Sequence, residues 1–299
     1  MELPEVRKAT RALGWRTSLS WALGLALLTV LTGFAVSWAF GWAAFDPSDA
    51  RELFRRSIDG RADVRRAAAI EWARTLQEVE AKRDEAVLGR WRPTATEAAR
   101  LASEFAGELA EDADLMRLAA VASILGHSES AEVAARLCSF LETLPPELAL
   151  EAQVHTLLAL RRLKQPCPAV AGRSAKSVDP SVRKAAAIAL GASTEALDLA
   201  ALVALLQDAT LDVRWNAAFA LAEKGRAESR PVVVALFEEM ESAGSGKGPI
   251  VDAFRLEVYA AALRAAVQLK DAELRVRLES LAKSHPSVKV RSLALTALD

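Results

Sequence analysis

Apolar residues recur at helical spacing along most of the chain, and the clearest instance is Asp179 to Gly191, DPSVRKAAAIALG. Val182, Ala186, Ala189 and Leu190 fall on one face of a helix at that spacing. Asp179 is placed to accept from the first free amides, and Pro180 suits the first helical position, where a missing donor costs nothing. The alanines at 185–187 let neighbouring backbones come close, so the helix can lie against another on each side. One such helix cannot bury its apolar face alone, whereas stacked copies can.

The copies are present. Residues 59–72 read DGRADVRRAAAIEW, 208–221 read DATLDVRWNAAFAL, and 285–298 read HPSVKVRSLALTAL. Each holds a Val-Arg pair, so that Arg65, Arg183, Arg214 and Arg291 occupy one register. Helical segments at 115–125, 148–163 and 253–269 read as divergent copies, giving about seven helical hairpins in all. The predicted fold is all-α.

The pattern resembles HEAT repeats, in particular the short bacterial form also seen in phycobilisome-lyase-like HEAT proteins. The matching residues are Asp179, Pro180, Val182, Arg183, Ala185, Ala186, Ala189, Leu190 and Gly191. The resemblance covers residues 46–299 and implies a HEAT-like α-solenoid. It also implies that Arg65, Arg183, Arg214 and Arg291 stack with neighbouring acidic groups as structural repeat positions, beside Asp179 and Pro180. It is specific for fold and almost silent on chemistry.

The segment before the repeats differs. Residues 1–16 form a small basic head with Arg7, Lys8, Arg11 and Arg16, and no charged residue occurs from Thr17 to Phe45. That run is long enough to cross a hydrocarbon core of roughly 30 Å, and about twice the apolar length of a cleavable signal peptide. Trp21 and Trp42 stand about 31 Å apart along a helix, one near each interface, with Trp38 beside Trp42. The reading is a transmembrane helix over 17–45 between the head and the repeat domain of 46–299. Thr29, Gly33, Ser37 and Gly41 recur every four residues along it. Small-residue stripes let membrane helices pack closely, though Gly and Ser are also simply common there. The expected location is the inner membrane, single-pass. The basic head favours a periplasmic repeat domain, but Arg51, Arg55 and Arg56 weaken that sidedness and leave the cytoplasm open.

Composition narrows the function. Net charge is -1, so nothing calls for nucleic acid or an acidic surface. A single tyrosine and few β-branched runs argue against a sheet. The helix after Arg61 reads as long, running through the charged stretch 78–85 until Trp91-Arg92-Pro93 breaks it. Cys138 is expected as a small core residue and Cys167 in a loop; whether they pair depends on a proximity that the sequence does not show. Trp72 and Trp215 fall on repeat helices and read as packing residues.

Candidate chemistry is thin. Gly244 to Gly248, GSGKG, fails as a phosphate loop because Glu241 stands where the first glycine belongs and Gly248 replaces the hydroxyl. His127, His155 and His285 are isolated, and the residues after them, Ser128, Thr156 and Pro286, lack the His-Glu pairs of HEAT-like hydroxylases. No nucleophile, base and orienter assemble, and no cofactor or metal is called for. The expected function is therefore a membrane-anchored scaffold or accessory subunit that binds a protein partner, another membrane subunit, with a homo-oligomer also open. The alternative is a lyase-like or ligand-binding protein that uses the solenoid groove.

Overall fold

The computed structural model describes residues 49–299 apart from 60, 108–113, 146–147, 166, 194 and 244–251. The basic head, the apolar run 17–45 with Trp21, Thr29, Gly33, Ser37, Trp38, Gly41 and Trp42, and the glycine loop 244–248 lie outside the described residues. The contacts of the chain set residues 50–299 apart as one compact unit.

Capping residues start many of the helices. Asp84, Asp114, Ser130, Asp179, Asp252 and Asp271 each accept from an amide of the first turn that follows, satisfying donors that a helix start leaves open. Thr94 and Glu97 form a reciprocal box: the Thr94 amide donates to Glu97 Oε2 at 2.7 Å and the Glu97 amide to Thr94 Oγ1 at 3.3 Å. The resulting helices are α1 (Ala50–Asp59), α2 (Ala62–Ala81), α3 (Glu85–Trp91), α4 (Ala95–Gly107), α5 (Leu115–Leu125), α6 (Ala131–Thr143), α7 (Leu150–Arg162), α8 (Pro168–Ser174), α9 (Pro180–Leu190), α10 (Ala196–Leu205), α11 (Leu211–Ala222), α12 (Arg230–Ala243), α13 (Ala253–Leu269), α14 (Ala272–Ser284) and α15 (Val288–Leu298). No strand occurs among the described residues.

These helices form two layers. Helices α2, α5, α7, α9, α11, α13 and α15 pack in one row, each on the next. Each is paired with the outer helix that precedes it in its hairpin, namely α1, α4, α6, α8, α10, α12 and α14. The short α3 is an insertion between α2 and α4. The described residues thus form an all-helical repeat of seven hairpins.

Residue size explains the layering. The inner row buries alanines, including Ala68, Ala122, Ala159, Ala186, Ala217, Ala262 and Ala294, so the backbones lie close. Outer helices supply the bulk: Leu53, Leu101, Phe105, Leu137, Phe140, Leu202, Phe237 and Leu274 are buried beneath the row. The rings of Phe105 and Phe140 meet at 4.3 Å between centroids. Complete burial of each of these large side chains contributes about 1.5–3 kcal/mol. Trp72 is wholly buried, and its indole N–H donates to the Trp91 carbonyl at 2.8 Å. The core is not continuous. One cluster runs from α1 to α11, a second from α11 to α15, and α11 serves both, with Val213 and Leu221 in the first and Trp215 and Ala222 in the second.

Three expectations need correction. The single-pass membrane location is overturned as far as the helices show, because among the described residues none is long and apolar enough to cross a membrane. Even the 20-residue α2 carries Asp63, Arg65, Arg66, Glu71, Arg74, Glu78 and Glu80. Second, that helix stops at Ala81: Arg83 turns through a left-handed φ of 55°, and Asp84 caps a separate α3. Third, Cys138 of α6 and Cys167, just before α8, are joined by a disulfide with Cα atoms 5.9 Å apart. Cys138 is half-buried at the edge of the core, where the outer helices of adjacent hairpins meet.

Candidate functional site

The repeated arginine holds the turn before its own helix. Arg65, Arg183, Arg214 and Arg291 each stand four residues after the N-cap, and their backbone amides bond the N-cap carbonyl at 2.8–3.2 Å. From that position the guanidinium bends back over the helix start. Arg183 Nη1 donates to the carbonyls of Ser177 and Val178 at 2.9 and 3.0 Å. Arg214 Nη1 donates to those of Asp208 and Ala209 at 2.5 and 3.2 Å, and Arg291 Nη1 to those of His285 and Pro286 at 2.5 and 3.0 Å. Arg65 makes no such bond among the described residues, and its Nε is buried without a hydrogen-bond partner.

One of these arginines also links two hairpins. Arg183 Nε and Nη2 donate to both oxygens of Asp208 at 2.7 and 2.9 Å, a bidentate pair that is largely buried. The arginine's hydrogen bonds hold the Asp208 carboxyl below the usual carboxylate range against the opposing effect of burial. Asp179 caps α9 through Ser181 and Val182, with Pro180 at the first helical position. These residues are spent on backbone and ion-pair contacts within the stack.

The solvent-facing side of the inner row is different. Two hollows open on it. One, of about 250 Å³, lies over α7, α9, α11 and α13 and is lined by Arg161, Ile188, Asn216, Phe219, Glu223, Arg264 and Gln268. Arg161 and Glu223 pair across it. The other, of about 280 Å³, lies over α2, α5 and α7, with Ile70, Arg74, Gln77, Met116, Glu151 and His155 at its walls. Arg162 and Glu80 stand nearby, joined at 3.0 Å across the row. Burial lowers the pKa of His155, and the field of Arg162 adds to this while Glu151 opposes it. The imidazole is therefore a neutral hydrogen-bonding group near neutral pH. Paired charges, amides and one aromatic ring, all on helices fixed by packing, suit recognition of a polar surface or an extended segment.

The remaining histidines are buried in the packing. His285 is buried, its Nε2–H donating to the Met240 carbonyl at 2.8 Å and its Nδ1 accepting from the Ser287 amide at 3.1 Å. His127 is buried in the turn after α5, and burial, with Arg162 and Arg92 acting in the same direction, pushes its pKa down to about 4 despite Glu80. Among the described residues no group of His, Cys, Asp or Glu could hold a metal ion. Trp72 and Trp215 are both buried in the packing.

The motif did contain the face. Counting five residues on from Arg65, Arg183 and Arg214 gives Ile70, Ile188 and Phe219, each of which lines a hollow; counting nine from Arg65 and Arg214 gives Arg74 and Glu223, which do the same. Sequence reading stopped at the buried face of these helices and did not assign Arg161, Asn216, Phe219, Glu223, Arg264 or Gln268.

No family model matches this chain, and no curated protein matches it. Among solved structures it is similar to the YibA protein of Escherichia coli, at 16% identity over 83% of this chain and 91% of that one, with a TM-score of 0.49. At that level of likeness the repeat architecture rests on the chain's own geometry.

Proposed function

We propose that this chain is a HEAT-type solenoid that binds a protein partner along the solvent-facing side of its inner helices, as a scaffold or accessory subunit and without catalysis. One observation carries the reading: the inner helices spend their buried faces on the core and their repeated arginines on the turns, yet present two hollows, both bordered by α7, built of Phe219, Arg264, Asn216, Arg74 and the Arg161–Glu223 pair. Aromatic and arginine side chains in partly enclosed pockets are the usual anchors of protein interfaces. The near-neutral charge of the whole chain fits a protein partner better than a polyanion.

The test is recovery of partners with the full-length protein from its native cells, compared with a Phe219→Ala, Arg264→Glu double variant. A stoichiometric partner bound at least about tenfold more weakly by the variant supports the reading, since two interface anchors are removed. A partner retained equally by both places binding elsewhere on the molecule.

A further inference from the structure

The two hollows of the inner-helix face carry opposite charge. In the first, over α7, α9, α11 and α13, Arg161 and Glu223 pair and cancel, and Arg264 leaves a charge of +1. In the second, over α2, α5 and α7, Arg74 pairs with both Glu71 and Glu78, which leaves −1, and Glu151 adds another, so the group stands at −2. Arg264 and Glu151 are both exposed, and among the described residues neither is in an ion pair.

The space suits single side chains. At about 250 and 280 Å³ each hollow has room for one long side chain and too little for a helix about 10 Å across. The polar groups of the first suit an open backbone. Asn216 Nδ2 donates to the Asp212 carbonyl at 2.7 Å, which leaves Oδ1 as an acceptor, and Gln268 stands beyond it on α13. A helix satisfies its own amides, whereas an extended segment needs such partners. Glu151 lies in the first turn of α7, and Arg264 lies on α13, three inner helices further along the row. At roughly 8–10 Å per step that is about 25–30 Å, which an extended chain covers in about eight or nine residues. Over such a span salt screens one charge from the other, so each selects its own counterpart.

We infer, resting on the protein-binding role proposed for this face, that it takes an extended segment of the partner with a basic and an acidic residue about eight or nine positions apart. The acidic side chain enters the first hollow, where its carboxylate accepts from Arg264, and an apolar neighbour rests on the half-buried Ile188 and Phe219. The basic side chain lays its stem along Ile70 and Met116 and donates to Glu151. Opposite charges at two fixed points set the direction of the segment, because in the reversed direction each charge faces its like. A segment of one sign throughout meets repulsion at one of the hollows.

The experiment selects displayed random peptides of about twelve residues, long enough to span both hollows, against full-length wild type, Arg264→Glu and Glu151→Lys. Wild type should enrich peptides with Lys or Arg about eight or nine positions from Asp or Glu, and with an apolar residue beside the acid. Arg264→Glu should change the preference at the acidic position alone, and Glu151→Lys at the basic position alone. A peptide selected on wild type should bind either variant about tenfold or more weakly in calorimetry, through loss of one charge-assisted contact. Both substitutions are at exposed positions outside the core, and unchanged melting temperatures check that the fold is kept. No enrichment, enrichment without that spacing, or the same peptides on all three proteins overturns the assignment. If such a null selection accompanies a partner that Phe219→Ala, Arg264→Glu loses, the extended segment falls and the scaffold role stands; a partner retained by that double variant removes both.

Discussion

Arg183 is bonded to four acceptors at once: two turn carbonyls and both oxygens of Asp208. Arg183→Ala should therefore cost about 1–3 kcal/mol in urea denaturation, the usual range for a lost charged, part-buried hydrogen-bond group. Arg183→Lys should recover little, because an ammonium cannot span both carboxylate oxygens. His127 gives a pH signature. Its folded pKa of about 4 lies below the ordinary histidine value, so the unfolded chain takes up the proton first. Stability from the neutral imidazole is fully present above about pH 6.5 and is lost as pH falls towards 4. Urea midpoints across that window should fall with pH in the wild type and flatten in His127→Gln; His155, lowered in the same direction, needs His155→Gln as the companion measurement. At this scale the sequence was informative where a residue acts within its own turn. The N-cap role of Asp179 is local chemistry. The environment of His127 is not, since Arg162, Glu80 and Arg92 reach it from three other elements.

At the scale of elements, packing distance decides. A Cβ at Gly126, the residue that ends α5, would lie 2.9 Å from Ala159 Cα and 3.0 Å from its Cβ on α7. Gly126→Ala should push the two inner helices apart and lower stability by about 1–3 kcal/mol, the usual cost of overpacking, as read by thermal denaturation. Ala192, in the turn after α9, should accept a serine with little loss, since it is half-exposed there. The same logic explains what could be read beforehand. Alanine runs announce close helices, so the inner row was legible and 115–125 and 253–269 fell on α5 and α13. Arg83 and its left-handed turn gave no such signal inside a charged stretch that favours helix throughout. The disulfide was hidden for a different reason: a bond between α6 and the start of α8 depends on how two hairpins stack, which no local pattern encodes.

For the whole molecule, the two core clusters meeting at α11 predict two blocks of cooperativity. Amide hydrogen exchange should show α1–α10 opening together and α12–α15 opening separately, with α11 limited by the weaker block. One common opening free energy across all helices would rule that division out. Charge balance and helical periodicity made the repeat readable, but the proposed binding face was legible only in principle, through the register of Ile70, Ile188 and Phe219. The register fixes where outward-facing residues stand, but their types owe nothing to the stack and so carry no periodic signature of their own.

Arg183, Arg214 and Arg291 draw their carbonyl partners from five and six residues upstream, in the turn inside the hairpin whose second helix each occupies. A tandem duplication of the coding segment therefore copies a unit together with its fastening, and a deletion removes both. Side chains of the motif also cross from one unit into the next, as the Arg183–Asp208 and Lys184–Asp212 pairs do. Such a chain can lengthen or shorten by whole hairpins during descent, leaving the surviving turns closed and changing chiefly how much surface it offers.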